Sequence, residues 1–197
     1  MTKKIKIGIT GGIGSGKSTV ASIFELFGAE IFYSDQEAKK LMVTCDNIIS
    51  ALKEMFAPDD PYKEGDLDRT LIASKIFHNK ALLSKINDIV HPEVRKAYLT
   101  RIKNSNLSYV INEAALLTNF EDEFDILILV QADQEKRIQR VKLRDQLSAS
   151  DVLARIENQL ADNQRGKIDY IIDNNDKLSL IDQVQAIHDA ILNRINS

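Results

Sequence analysis

Gly11-Gly12-Ile13-Gly14-Ser15-Gly16-Lys17-Ser18 fits the pattern G-x-x-x-x-G-K-[ST]. The residues before it, Lys4 to Thr10, form a short β-branched run that reads as a buried strand. Those after it, Ser18 to Phe27, repeat apolar side chains at helical spacing and stop at Gly28, where a left-handed residue is expected. The pattern therefore sits where its mechanism needs it, between a strand and a helix. Four of the chain's eight glycines fall inside it. With no Cβ in the way, the main chain turns its N–H groups inward, and the helix N-terminus adds the positive end of a dipole. Such a turn cradles the phosphate tail of a nucleoside triphosphate, with Lys17 on the β- and γ-phosphates and the Ser18 hydroxyl on Mg2+.

Working outward, Ile31 to Ser34 is a second short strand, and Asp35 is placed to cap the helix through Ala38 and Leu41. This β-α-β-α opening predicts an α/β fold with a parallel sheet. Asp46 to Ser105 is helical in period almost throughout, broken at Ala57-Pro58-Asp59-Asp60-Pro61 and at His91-Pro92, and reads as a helical insertion. Strands resume at Tyr109 to Asn112, Asp125 to Val130 and Tyr170 to Ile172, which makes five. Between the last two lie helices at Gln134 to Arg144 and Asp151 to Asn163, joined by a hinge where Ser148 and Asp151 have capping-box spacing. Apolar residues at Leu178, Ile181, Val184, Ile187, Ile191, Leu192 and Ile195 predict an amphipathic helix covering the sheet.

Composition narrows the function. The 197 residues carry 26 basic and 29 acidic side chains, a net charge of −3, which argues against nonspecific nucleic-acid binding. Hydrophobic residues at 44% and charged residues at 28% exclude an intrinsically disordered chain. A single cysteine, Cys45, forms no internal disulfide and no thiolate-clustered metal site. The longest apolar run, Ile126 to Val130, falls far short of the roughly 18 residues of a membrane span. The basic Met1 to Lys4 is followed by no apolar block, so the chain reads as cytoplasmic, with a monomer compatible.

The turn names a nucleotide, and the rest of the chain narrows the reaction. Asn79-Lys80 is followed by Ala81-Leu82 rather than by the aspartate of the GTPase N-K-x-D motif, and no D-x-x-G or L-S-G-G-Q is present. Small size, an inserted helical segment and a helix-hinge-helix suit a small-molecule kinase whose lids exclude water. Asp35, at the end of the second strand, is placed to hold an acceptor hydroxyl and take its proton, or simply to cap a helix. Arg137, Arg140 and Arg144 share a stripe about 60° wide on one helix. Such a stripe suits the charge of a transferring phosphoryl group, with Arg140 first and Arg144 second, or forms a solvated face paired with Glu135, Asp145 and Asp151.

The residues resemble the dephospho-CoA kinase family along nearly the whole chain. Thr10 to Ala21 matches T-G-G-I-G-S-G-K-S-T-V-A, and Asp35 with Ala38 matches D-x-x-A. Leu67-Asp68-Arg69, Ile76-Phe77 and His91-Pro92 resemble the family's helical insertion. Arg137, Arg140, Arg144-Asp145, Ser148 and Gln159 follow, then Asp169, Ile172 and Asn174 as D-x-x-I-x-N. Three departures stand out. Tyr33-Ser34-Asp35 replaces D-A-D, Lys39 stands for arginine, and Ala115 to Asn119 lacks the proline and glutamate of P-L-L-F-E. Glu113 is a candidate for the missing acid.

The resemblance implies a P-loop kinase fold with a parallel five-stranded sheet and phosphorylation of dephospho-CoA on its ribose 3′-hydroxyl by ATP. It implies three parts: a nucleotide-binding core at 1–45, 106–135 and 166–197, a helical acceptor subdomain at 46–105, and a lid at 136–165. Lys17, Asp35, Arg140 and Thr10 would carry catalysis. Gly12, Gly14, Ser15, Gly16, Lys17, Ser18, Thr19, Arg144 and Asn174 would bind ATP, with the stretch from Asp169 to Asn174 flanking its adenine. Asp35, Arg69 and His91 would bind the acceptor, and Ser18 would hold Mg2+, with Glu113 and Asp133 both open as a second ligand. His91 before Pro92 reads as a helix-junction residue. Another nucleotide or nucleoside kinase on this scaffold, and a non-catalytic ATP-binding switch, remain as alternatives.

Overall fold

The computed structural model describes residues 4–76, 79–115, 124–161 and 167–196, with backbone only for 158–161 and 196. Phe77, residues 116–119, the end of the expected lid at 162–165 and the Gln159 side chain lie outside this description. The chain forms two compact units, Met1–Tyr33 with Ile102–Ser197, and Ser34–Arg101. In chain order the first unit opens with β1 (Ile5–Thr10), α1 (Lys17–Leu26) and β2 (Glu30–Tyr33). The second holds α2 (Ser34–Thr44), α3 (Asp46–Phe56), β3 (Tyr62–Lys63), β4 (Asp66–Leu67), α4 (Arg69–Ile76) and most of α5 (Lys80–Asn104). The first unit resumes with β5 (Tyr109–Glu113), β6 (Ile126–Gln131), α6 (Gln134–Asp145), α7 (Ala149–Ala161), β7 (Tyr170–Asp173) and α8 (Leu180–Asn196).

In the first unit the five strands run parallel in the order β2-β5-β1-β6-β7. β1 lies at the centre, with Ile9 opposite Glu113 on one side and Ile128 on the other. Because every strand points the same way, their C-terminal ends share one edge, which carries Thr10, Tyr33, Glu113, Gln131 and Asp173. Ligands of open parallel sheets bind at that edge. One core holds it in place. Val20, Ala21 and Phe24 of α1 and Val184, Ile187 and Ile191 of α8 pack with Ile7, Ile9, Ile111, Ile128 and Ile172. Burying one such side chain contributes about 1.5–3 kcal/mol. The apolar stripe of α8 is narrower than expected: Leu178 precedes the helix, and Ile181 is exposed.

The second unit corrects three expectations. The insertion is not purely helical, because Tyr62 pairs with Leu67 and Lys63 with Asp66 in a hairpin. Its two turn residues, Glu64 and Gly65, both have positive φ, the requirement of a type I′ turn. His91-Pro92 does not break a helix. α5 runs through Pro92, and Ile86, Val90, Val94 and Tyr98 bury one face on both sides of it, which offsets the lost main-chain hydrogen bond. Asp35 is no cap, since it lies in the first turn of α2, where its charge meets the positive helix end. Asp68 does cap α4, accepting from Leu71 N–H at 3.0 Å and pairing with Lys63. No helix among the described residues is long and apolar enough to cross a membrane.

Candidate active site

The phosphate turn is built from three distant segments. Gly16 caps α1 with φ of 96°, so the chain enters the helix through a left-handed residue that favours glycine. A Cβ there would overlap the Asn174 amide, which donates from Nδ2 to the Ser15 carbonyl at 2.8 Å. A Cβ at Gly11 would overlap the Val130 carbonyl at the end of β6, and one at Gly14 would lie 2.6 Å from the Arg137 carbonyl. Ser15 N–H donates to the Gly12 carbonyl at 3.0 Å and closes the turn.

The same residues fit a polyphosphate. Lys17 is buried, with Nζ donating to the Gly11 carbonyl at 3.0 Å, so a cation is tucked under the turn. The Ser15 hydroxyl is buried with no hydrogen-bond partner among the described residues. The first turn of α1 carries no acidic residue and its N-terminus has no side-chain cap. Uncapped amides, a positive dipole end and a buried ammonium together favour an anion. Ser18 and Thr19 lie exposed in that first turn. Thr10 ends β1, its Oγ1 donating to the Ala115 carbonyl over a long 3.5 Å. Glu113 is buried at the neighbouring strand end, in register with Ile9 and Tyr33. Burial, chiefly, raises the Tyr33 phenol above its ordinary range, helped by the nearby carboxylates of Glu25 and Glu113.

The three arginines of α6 go to three different places. Arg137 donates from Nε to the Ile13 carbonyl at 2.9 Å, and a Cβ at Gly12 would overlap its guanidinium. Arg140 donates from Nη2 to the Asn174 carbonyl at 3.0 Å and reaches Asp176 at 3.4 Å, while its Nη1 is buried without a partner among the described residues. Arg144, also expected on the phosphates, is exposed and forks onto its neighbour Asp145 at 2.7 and 3.0 Å. Arg137, left out of the expected site, is the arginine that meets the turn. The shared helix face was visible in the sequence; which member meets Ile13 depends on how α6 docks. Ile13, Ile138 and Leu147 pack against Val141, Val152 and Ile156.

The stretch from Asp169 to Asn174 splits in the same way. Asp169 is tied at 2.9 Å by both N–H and Oδ2 to Leu127, near the N-terminal ends of β6 and β7, opposite the edge that carries the turn. Asn174, at the other end of β7, is the part that reaches Ser15. Asp133 precedes α6 and donates from its N–H to Asn175 Oδ1 at 2.8 Å.

In the second unit, Asp35 and His91 are electrostatic neighbours. Burial pushes the His91 imidazole below its usual pKa, opposed by the charges of Asp88 and Asp35. Arg69 lines a cavity of about 330 Å3 with Lys39, Met42, Val43, Asp66 and Leu67. Among the described residues neither Lys39 nor Arg69 has a carboxylate partner, so two unpaired cations and three apolar side chains share that cavity.

Comparisons with known proteins point one way. The family model described as dephospho-CoA kinase matches residues 5–179. A dephospho-CoA kinase of Bacteroides fragilis is 34% identical, covering 91% of this chain and 89% of its own. One from Salinibacter ruber is 35% identical, with 88% and 90% covered. Among solved structures, a Thermus thermophilus protein superposes with a TM-score of 0.81 at 30% identity, over 96% of this chain and 98% of its own. The dephospho-CoA kinase of Campylobacter jejuni gives 0.58 at 25% identity, with 97% of each chain covered. A shikimate kinase from Acinetobacter baumannii, at 20% identity and a TM-score of 0.57 over 98% of this chain and 96% of its own, shares the fold. On the match over residues 5–179 and relatives above 30% identity along most of their length, this chain belongs to the dephospho-CoA kinase family.

Proposed function

We propose that this chain transfers the γ-phosphoryl group of ATP to the ribose 3′-hydroxyl of dephospho-CoA, yielding CoA and ADP in the last step of coenzyme A biosynthesis. The observation that carries the reading is the cradle around Lys17, fitted to a polyphosphate, in a chain of this family. A bond forms between the 3′-oxygen and the γ-phosphorus, and the bond from that phosphorus to the β–γ bridging oxygen breaks. Asp35 takes the hydroxyl proton. Amides of Gly12, Gly14, Gly16, Ser18 and Thr19 and the Ser15 hydroxyl hold the phosphates, and Lys17 holds the transferring group. Thr10 stands at the same sheet edge, where its hydroxyl orients the reacting groups.

Arg140, held by Asn174 and with its Nη1 unsatisfied among the described residues, donates to the phosphoryl oxygens. Arg144, exposed near the C-terminal end of α6, joins it when ATP binds, exchanging Asp145 for phosphate. Asn174 keeps the turn in shape for ATP. Arg69 with Lys39 suits the diphosphate of dephospho-CoA, and the apolar wall of their cavity suits its pantetheine arm. His91, kept neutral by burial, binds the acceptor by hydrogen bonding rather than by charge.

Mg2+ would be held by the Ser18 hydroxyl and the phosphates, and when bound it neutralises phosphate charge. Among the described residues no three His, Cys, Asp or Glu side chains converge, so most of its ligands would be phosphate and water. We place the chain in the cytoplasm.

ADP release measured across a panel of acceptors tests the reading. Dephospho-CoA should turn over far faster than AMP, CMP or deoxynucleosides. Equal or better use of a mononucleotide would move the chain to another kinase class. ATP binding with no acceptor-dependent ADP release would make it a switch.

A further inference from the structure

Arg137 is the one arginine of α6 whose guanidinium lies on the phosphate turn. Its Nε is spent on the Ile13 carbonyl at 2.9 Å, and its fork covers Gly12. Helix α6 is fixed there by more than this bond. The Ile13 side chain packs with Val141 and Ile138, and the Gly14 main chain lies against the Arg137 carbonyl and the Val141 methyl. The fork is therefore preorganised on the turn.

Its remaining nitrogens have no hydrogen-bond or carboxylate partner among the described residues. Partial burial lowers the guanidinium pKa from its ordinary value, and no carboxylate among the described residues offsets it. A half-buried arginine facing only a neutral carbonyl is costly unless an anion completes it. Arg140 and Arg144 differ in this respect, since Asp176 and Asp145 already balance them.

We propose that Arg137 is a phosphate-binding residue of this kinase, fixed through Nε by the Ile13 carbonyl so that its two Nη nitrogens donate to the polyphosphate of the bound nucleotide. The proposal rests on the reading that the turn holds ATP. Its ligand is the phosphate chain and not the base, so the phosphate chain alone is a sufficient probe.

Equilibrium binding of ATP, inorganic triphosphate and adenosine to the wild-type chain, R137A, R137Q and R137K tests it, with unfolding of the ligand-free proteins followed alongside. R137A should weaken ATP and inorganic triphosphate by the same factor, about tenfold to a hundredfold, the scale of a charge-assisted hydrogen bond. Adenosine affinity should stay within about twofold. R137K should recover part of the loss, because it restores charge without the fork, and R137Q should recover none. Unchanged triphosphate affinity in R137A would overturn the proposal. So would an equal loss for adenosine, which would assign Arg137 to the fold of the nucleotide site as a whole, or equal affinities for R137K and R137Q, which would assign it to holding the turn's shape. Should R137A not fold, the contrast between R137K and R137Q decides by the same criteria. A wild-type chain that binds neither ATP nor triphosphate would instead remove the functional reading on which the proposal stands.

Discussion

Asn174 and Ser15, 159 residues apart in sequence, are joined by a hydrogen bond of 2.8 Å from the Asn174 Nδ2 to the Ser15 carbonyl. The same asparagine presents its own carbonyl to Arg140 at 3.0 Å. One residue at the end of β7 thus braces the turn and tethers an arginine of α6. Asn174→Ala should cost about 1–2 kcal/mol of stability, the scale of a buried acceptor left unpaired. It should also weaken ATP about tenfold. Asn174→Asp sets a carboxylate against the Ser15 carbonyl and should weaken ATP further. Urea unfolding and calorimetric titration read the two effects separately.

Gly16 and Gly12 should respond differently to alanine. At Gly16 the new Cβ meets the Asn174 amide in a left-handed backbone, so Gly16→Ala should lower the melting temperature and abolish ATP binding. At Gly12 its nearest contacts are the side-chain guanidinium atoms of Arg137, which it would push off the turn without touching main chain. Gly12→Ala should fold normally and lose ATP affinity to about the extent of R137A. Thermal melts with and without ATP distinguish these outcomes.

Lys17→Ala and Asp35→Asn should each lower turnover at least about a hundredfold, the scale of a positioned charge or base. Only Lys17→Ala should also impair ATP binding, because Asp35 serves the acceptor. Near-normal turnover in Asp35→Asn would leave Asp35 as a helix-end charge and nothing more. Steady-state kinetics with both substrates varied, beside direct ATP titration, separates the roles.

His91 should give the chain an acid-side loss of stability. Burial favours its neutral form, so the folded chain binds fewer protons than the unfolded chain below the ordinary histidine pKa of about 6.5. Stability should therefore fall as pH drops from about 6.5 through the folded-state pKa and level off below it. His91→Asn should flatten that slope. Asp35→Asn removes a charge that supports the imidazolium and should depress the His91 pKa further, which an NMR titration of the imidazole reads directly.

Much of this molecule is legible along its chain. Each strand of the five-stranded sheet lies within one residue of its expected ends, because short β-branched runs between glycines and polar turns leave few alternatives. The turn at Gly11 to Ser18 is local in sequence, so its form could be read from spacing. Tyr62–Leu67 could not, since a hairpin of two-residue strands carries too short a pattern to separate from a loop. His91-Pro92 misled for a different reason: apolar packing on both sides of Pro92 outweighs a local helix-breaking signal. Neither the meeting of Arg137 with Ile13 nor that of Asn174 with Ser15 has any local signature. Both depend on where strand ends and helices are brought together by the core.

The most direct measurement is a crystal structure with Mg2+ and a non-hydrolysable ATP analogue. Its β- and γ-phosphates should lie within hydrogen-bond distance of the amides between Gly14 and Thr19. Lys17 Nζ should then have left the Gly11 carbonyl for a phosphate oxygen, with an Arg137 nitrogen within about 3 Å of another. An empty turn, with the nucleotide bound elsewhere on the molecule, would contradict every role assigned to these residues.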